Sequence, residues 1–249
     1  MNAKSFDRRH QHGMTLIEIL IAMGISLFLL GGLFTIVGNT RRVYGAQNQM
    51  AQLLDDERMA MTMISDVIQN SGYFPNPTVY TAAFLFPVAP AFTTVGQSIV
   101  GTHPSTAAPG DTITLRFATA SGDGMINCTG GTNTSGAPAL YTNKFSIDAA
   151  GNLACSLNGA AATPLVSGLT NLQILYGVKT DFSLNNGAVD SYLTASEMSA
   201  TNWANVICVK ITLTFANPQY NAVTPGLNIP QTISFTRVVG VMRDTGVTT

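Results

Sequence analysis

The apolar positions of this chain form a continuous run near its start and an alternating pattern towards its end. Residues 14–38 read MTLIEILIAMGISLFLLGGLFTIVG, and Glu18 is the one charged residue in that run. A helix rises about 1.5 Å per residue, so a helix of this length crosses a hydrocarbon core of about 30 Å. The run therefore predicts a membrane-spanning helix.

Residues 39–71 change to an amphipathic pattern, with apolar side chains three, four or seven positions apart. We expect the helix to continue here and to pack its apolar stripe on a sheet. Ser71 and Gly72, followed by Pro75 and Pro77, predict its end. The predicted stripe consists of Val43, Ala46, Met50, Leu54, Met61, Ile64 and Ile68.

Apolar and polar residues alternate in residues 111–119, 204–215 and 231–242, a pattern typical of strands. An antiparallel sheet with one apolar face needs a cover, which the amphipathic half of the helix can supply. We therefore expect an α+β fold in which residues 72–249 form a β-rich head with long loops. The clearest strand places Ile207, Val209, Ile211, Leu213 and Phe215 on one face and Cys208, Lys210, Thr212 and Thr214 on the other.

Composition excludes several classes of function. Charged residues make up 10% of the chain and the net charge is −1, which leaves no basic surface for nucleic acid. No Cys/His metal spacing, nucleophile motif or phosphate-binding loop is present, and His103 is the only histidine after residue 13. We expect neither an enzyme nor a bound cofactor.

A short basic leader precedes the apolar run. Residues 1–13 carry Lys4, Arg8 and Arg9 and end in Gly13, and Glu18 is the fifth residue after that glycine. This arrangement resembles the class III signal of type IV prepilins. The resemblance implies that a prepilin peptidase cuts between Gly13 and Met14 and methylates the new amino terminus of Met14, where most members of the family have Phe. The apolar helix then stays in the mature protein.

Two roles are open for Glu18. A carboxylate inside a membrane span is costly and points to a function by default, but an acid near a helix start can also reach the headgroups. The prepilin resemblance implies the first role. In that role, Glu18 of one subunit meets the α-ammonium of its neighbour, so that two charges in apolar surroundings offset each other.

The C-terminal half resembles the PilW family of minor pilins. The resemblance lies in Leu153–Cys155, Pro164–Val166, Asn171–Val178, Tyr192 and Trp203, whereas residues 75–106 match no pattern of the family. It implies the pilin architecture, with a leader (1–13), a transmembrane half-helix (14–38), an amphipathic half-helix (39–71) and a head (72–249). It also implies a structural subunit of low abundance that initiates or caps type IV pilus assembly.

The same resemblance implies partners and a location. The partners are other minor pilins, the major pilin, the prepilin peptidase, the inner-membrane assembly platform and the lipid bilayer. Before assembly the chain would cross the inner membrane once with its head in the periplasm, and afterwards it would lie at the pilus tip. The alternatives are a pseudopilin of a type II secretion system and a surface adhesin module carried on a pilin helix.

Two of the three cysteines are candidates for a disulfide. Cys128 and Cys155 flank the strand expected around residues 141–147, in the part of the chain that would be exported. An oxidising compartment permits a bridge between them, worth about 3 kcal/mol by loop entropy, although two free thiols remain the alternative. Cys208 would stay unpaired in the sheet.

The loop at residues 179–192 is a weak candidate for a calcium site. Relatives carry a more acidic loop here, and Asp181, Asn185 and Asp190 are oxygen ligands of the kind that calcium prefers. Lys179 stands where an acid would strengthen such a site. A plain turn without metal is therefore the preferred interpretation.

Overall fold

The structure is a computed structural model, and it describes residues 14–104, 110–183, 187–220 and 229–241. One long helix, α1 (Leu16–Asn70), begins the described chain. The protein divides into two compact units between Gln49 and Met50. The first unit is helical over its described part after residue 15, and the second contains the end of α1 and every strand.

The strands form two antiparallel sheets. The five-stranded sheet has the order β1-β2-β3-β4-β5, with β1 (Ile99–Thr102), β2 (Thr112–Thr119), β3 (Ala139–Ile147), β4 (Leu153–Leu157) and β5 (Thr163–Val166). The four-stranded sheet has the order β7-β6-β8-β9, with β6 (Leu169–Val178), β7 (Ser191–Leu193), β8 (Val206–Ala216) and β9 (Thr232–Gly240). Short helices lie at α2 (Ala82–Leu85) and α3 (Ala200–Ala204), and a 3-10 turn lies at Ala195–Glu197.

The expected α+β class is confirmed, but the strands divide between two sheets where one was expected. The chain leaves the first sheet after β5 and enters the second at β6 through a turn at Gly168, whose φ is +84°. Such a φ is accessible to glycine at little cost. The Leu169 amide donates to the Gly151 carbonyl oxygen at 2.9 Å, which ties the turn to the loop before β4.

Both sheets and the last part of α1 share one hydrophobic core. The buried apolar residues of the helix are Leu53, Ala60, Met61, Ile64, Val67 and Ile68. The predicted stripe is correct from Met61 onwards and wrong at Val43 and Leu54, which are 55% and 44% exposed, whereas Ala46 and Met50 are half-buried. Leu53, at 7% exposure, packs into the core instead of Leu54.

The predicted face of β8 is correct except at its first residue. Val209, Ile211, Leu213 and Phe215 are buried as expected. The pairing with β6 slips between Gly177 and Val178, however, so that Gly177 pairs with Cys208 and Val178 with Val206. This bulge skips Ile207, and Val206 is buried in its place.

Strand β2 is buried on both faces. Ile113, Leu115 and Phe117 point into the shared core, as predicted, and the alternate residues Thr114, Arg116 and Ala118 are buried too. Phe86 and Phe92, from the segment that precedes β1, are also buried, and both lie against the Arg116 guanidinium. That segment therefore covers the second face of β2.

Candidate functional site

The first turn of α1 contains the residue that the prepilin resemblance singles out. Glu18 Oε2 accepts hydrogen bonds from the Thr15 amide at 3.1 Å and from the Thr15 hydroxyl at 3.2 Å. The carboxylate thereby satisfies a donor at a helix start and lies where the helix dipole favours a negative charge. Met14 is 72% exposed, and Gly13 lies outside the described residues.

The apolar half of α1 presents its side chains to its surroundings. Within the described residues α1 is the one helix long and apolar enough to cross a membrane, and none of its most apolar window is buried. Its polar side chains are satisfied locally, since Ser26 and Thr35 donate to the carbonyl oxygens of Ala22 and Gly31 at 2.7 and 3.0 Å. A polar group of a helix in hydrocarbon needs such a partner, and both hydroxyls meet that requirement.

A disulfide joins Cys128 to Cys155, whose Cα atoms are 6.3 Å apart. Cys155 lies in β4, and Cys128 lies in the loop between β2 and β3. Asn143 of β3, between them, accepts a hydrogen bond from the Cys128 amide at 2.9 Å. The bridge therefore holds the long loop before β3 against the sheet, while Cys208 is a free, buried thiol.

The calcium candidate is an internally satisfied turn over its described residues. Asp190 Oδ2 accepts hydrogen bonds from the Thr180 and Asp181 amides at 2.7 Å each, and these bonds lower the pKa of Asp190. Lys179 Nζ lies 4.0 Å from Asp190 Oδ1 and supplies the neutralising charge. Asn185 lies outside the described residues, and among those described no group of three acids, histidines or cysteines is placed to hold a metal.

Asp111 is a buried carboxylate that joins the two sheets, and the sequence analysis did not identify this role. It is buried, and its Oδ2 accepts a hydrogen bond from the Ile174 amide at 2.7 Å, while its own amide donates to the Leu172 carbonyl oxygen at 2.7 Å. Its Oδ1 lies 2.6 Å from Nδ1 of His103. Asp111 directly precedes β2 and therefore joins the two sheets by hydrogen bonds to the backbone of β6.

Arg116 is a second buried charged residue whose role the sequence analysis did not identify. Its guanidinium donates to the carbonyl oxygens of Gln97, Pro87 and Phe86 at 2.5, 2.6 and 3.1 Å, and it lies 4.1 Å from the centre of the Phe92 ring. Burial lowers the pKa of Arg116 to about 10. Two features of the sequence could have indicated this role. Arg116 lies in an otherwise uncharged strand, and the long segment before β1 carries no charge and is therefore suited to covering a sheet face.

Two stretches of the chain match known families. Residues 8–34 match the prokaryotic N-terminal methylation motif, and residues 130–237 match the type IV pilus-assembly protein W family, PilW. No curated protein matches the chain. Among solved structures, a type IV-like pilin from Thermus thermophilus aligns with 76% of this chain and 95% of its own, at 13% identity and a TM-score of 0.41.

Proposed function

We propose that this chain, a type IV prepilin-like protein most like the PilW family, works as a minor pilin that initiates or caps pilus assembly at the tip. The observation that carries the proposal is an unburied apolar helix whose first part lies within a methylation motif. Such a helix suits a lipid bilayer first and a bundle of similar helices afterwards. Its partners would be other minor pilins, the major pilin, the prepilin peptidase and the inner-membrane assembly platform.

Processing would remove residues 1–13. The peptidase would cut between Gly13 and Met14 and leave N-methyl-Met14 as the first residue of the mature protein. Until assembly, α1 would anchor the chain in the inner membrane with the head in the periplasm. The methylation motif and the apolar helix support the membrane anchor.

Glu18 would make the charge contact between subunits. Only Oε2 of its carboxylate has hydrogen bonds among the described residues, both from Thr15, so Oε1 is available to another donor. The α-ammonium of a neighbouring subunit would be such a donor, and the pair would neutralise two charges that are costly in an apolar bundle. Losing one partner of such a pair leaves the other uncompensated, which predicts a strong effect of mutation.

The size of the head favours a subunit that is present in few copies in the pilus. Two sheets and long loops follow the helix, and repeating so large a head at every subunit would crowd its neighbours. A subunit at the end of the filament has neighbours on one side only. The protein would therefore dock through its helix and contact other minor pilins through its head.

The matched variants Glu18→Ala and Asp55→Ala test the role of the helix. Asp55 is an exposed acid further along α1, so its loss controls for a general change of charge. We expect Glu18→Ala to enter the membrane and be cleaved normally but to be depleted about tenfold or more from sheared pili. Equal incorporation of both variants would contradict the charge contact.

Deletion and mass spectrometry separate this proposal from a pseudopilin of a secretion system. The mature protein should begin with N-methyl-Met14, and deletion should reduce the number of surface pili while leaving the type II secretion of exoproteins unchanged. Lost secretion with normal pilus numbers would establish the pseudopilin role instead. An intact Met1 terminus in cells with an active prepilin peptidase would contradict processing altogether.

A further inference from the structure

The outer face of the five-stranded sheet carries a cavity that the proposed assembly role does not use. The cavity has a volume of about 450 Å³, within the range of small-molecule sites. Pro90 and Ala91, from the segment before β1, form one wall, and Thr114, Thr142, Lys144 and Ser156 lie on the sheet side. We call this set of six residues the hydroxyl cavity.

The register of the sheet brings the polar groups together. Thr114 pairs with Lys144 across β2 and β3, and Lys144 pairs with Ser156 across β3 and β4. Thr142 is two positions before Lys144 on the same strand and therefore on the same face. Paired residues have Cβ atoms about 5 Å apart, so the ammonium and the hydroxyls can contact one small ligand.

Three of these groups have no partner within the described part of the chain. The hydroxyls of Thr114 and Thr142 and the Lys144 ammonium make no hydrogen bond or ion pair there, whereas Ser156 donates to the Ala160 carbonyl oxygen at 2.5 Å. Thr114 is only 8% exposed, so its hydroxyl is held in place at the sheet. Polar groups that converge on a cavity are the usual means of orienting a ligand.

The charged side chains at the cavity and behind its wall are both cations. Arg116 lies two positions after Thr114 on the same face of β2, and its buried guanidinium bonds only to carbonyl oxygens. Neither Arg116 nor Lys144 forms an ion pair with another described residue. A cation beside the cavity and a second cation behind its wall favour a ligand with a negative charge.

The wall of the cavity is preorganised. The three hydrogen bonds of Arg116 fix the carbonyl oxygens of Phe86, Pro87 and Gln97, which flank Pro90 and Ala91 on both sides. The apolar wall is thus tied to the strand that carries Thr114. A site with a fixed wall loses less conformational entropy when it binds a ligand.

From these features we infer that the hydroxyl cavity binds a uronic acid residue of an acidic polysaccharide. The Lys144 ammonium pairs with the sugar carboxylate, the Thr114 and Thr142 hydroxyls bond to ring hydroxyls, and Pro90 and Ala91 cover the apolar face of the ring. Nucleic acid fits less well, because its binding requires several cations along the backbone, and Lys144 is the only charged residue that lines the cavity.

Titration calorimetry tests this inference on the full chain, which is kept in solution by a detergent without a sugar headgroup. The probes are tetragalacturonate, the neutral maltotetraose and a thymidine oligonucleotide. The wild type should bind tetragalacturonate saturably and at least about tenfold more tightly than either other probe. Absent binding, equal binding of the neutral sugar or tighter binding of the oligonucleotide would each overturn the inference.

Matched variants locate the site. Lys144→Met removes the charge and keeps most of the side-chain volume, and it should weaken tetragalacturonate binding about tenfold or more. Thr114→Val should weaken it about threefold. Lys210→Met alters a lysine in β8 of the other sheet and should leave binding unchanged. Unchanged binding by Lys144→Met, or an equal loss in Lys210→Met, would overturn the assignment.

This outcome is independent of the pilus assignment. Binding is measured on the purified chain, so its absence leaves pilus incorporation and processing untouched. Conversely, a chain that never enters pili can still show the interaction with tetragalacturonate.

Discussion

At the scale of single residues, buried polar side chains hold the head together. Arg116 and Asp111 are nearly inaccessible, and each bonds to the backbone of a neighbouring element. Bonds to charged groups contribute about 1.5–3 kcal/mol, and a buried acceptor that loses its donor costs about 1–3 kcal/mol. These two residues therefore determine how the segment before β1 and the second sheet attach to β2.

Replacing Arg116 with Met should destabilise the head by about 2–4 kcal/mol, because three carbonyl oxygens lose their donor. The measurement is denaturant unfolding followed by the fluorescence of Trp203, the single tryptophan, which contacts Tyr176 with ring centres 4.7 Å apart. Arg237→Met, at an exposed position in β9, is the control and should change stability by less than about 0.5 kcal/mol. Similar losses in both variants would contradict the anchoring role.

Tyr176 has a buried hydroxyl without a hydrogen-bond partner among the described residues. Tyr176→Phe removes that hydroxyl and should stabilise the head by about 1 kcal/mol. Burial and, to a smaller extent, the charge of Asp111 raise the pKa of Tyr176 above its usual value. Above pH 10 the unfolded chain therefore loses this proton while the folded chain keeps it, so stability falls as the pH rises.

The alkaline loss of stability should accordingly be less steep in Tyr176→Phe than in the wild type. Unfolding free energies between pH 8 and pH 11 provide the comparison, with Tyr141→Phe, at a half-buried position, as the control. A Tyr176→Phe variant that is less stable than the wild type at pH 8 would reveal a hydrogen bond to this hydroxyl.

At the scale of elements, periodicity identified the long helix and the main strands but not every core residue. The end of α1 at Asn70 and the alternation of β2 and β8 follow from local sequence. The bulge that skips Ile207 depends on the pairing of β8 with β6. The burial of Leu53, where Leu54 was expected, depends on the side from which the sheets pack against the helix. Neither is encoded by spacing alone.

The candidate sites show the same division. The methylation motif is a contiguous signal, and the match over residues 8–34 confirms its recognition from sequence. The match over residues 130–237 likewise confirms the resemblance to PilW. The contacts of Arg116 and Asp111 and the hydroxyl cavity join residues from distant parts of the chain, so only the folded structure reveals them.

Leu53 and Leu54 provide a matched pair of variants for the packing of α1. Leu53 is 7% exposed and belongs to the core, whereas Leu54 is 44% exposed. Leu53→Ala should destabilise the head by about 2–4 kcal/mol and Leu54→Ala by less than about 1 kcal/mol. Denaturant unfolding of the two variants shows which of the two leucines lies on the buried face of α1. A larger loss of stability in Leu54→Ala than in Leu53→Ala would contradict this packing.

At the scale of the whole molecule, the chain combines an unburied apolar helix with a head of two sheets. The family that it resembles is a structural one concerned with pilus assembly. Under the proposed function, the helix joins the filament and the head sets the position within it. Changes to the head should therefore alter where the protein is found without abolishing its cleavage or membrane insertion.

Immunogold labelling of surface pili tests the central claim most directly. An antibody against the head is applied to pili from wild-type cells and, as a control for background, to pili from the deletion strain. If the protein is a minor pilin at the tip, gold should mark one end of a pilus in few copies and leave the shaft unlabelled. Dense labelling along the whole shaft, or no labelling above the deletion strain, would contradict it.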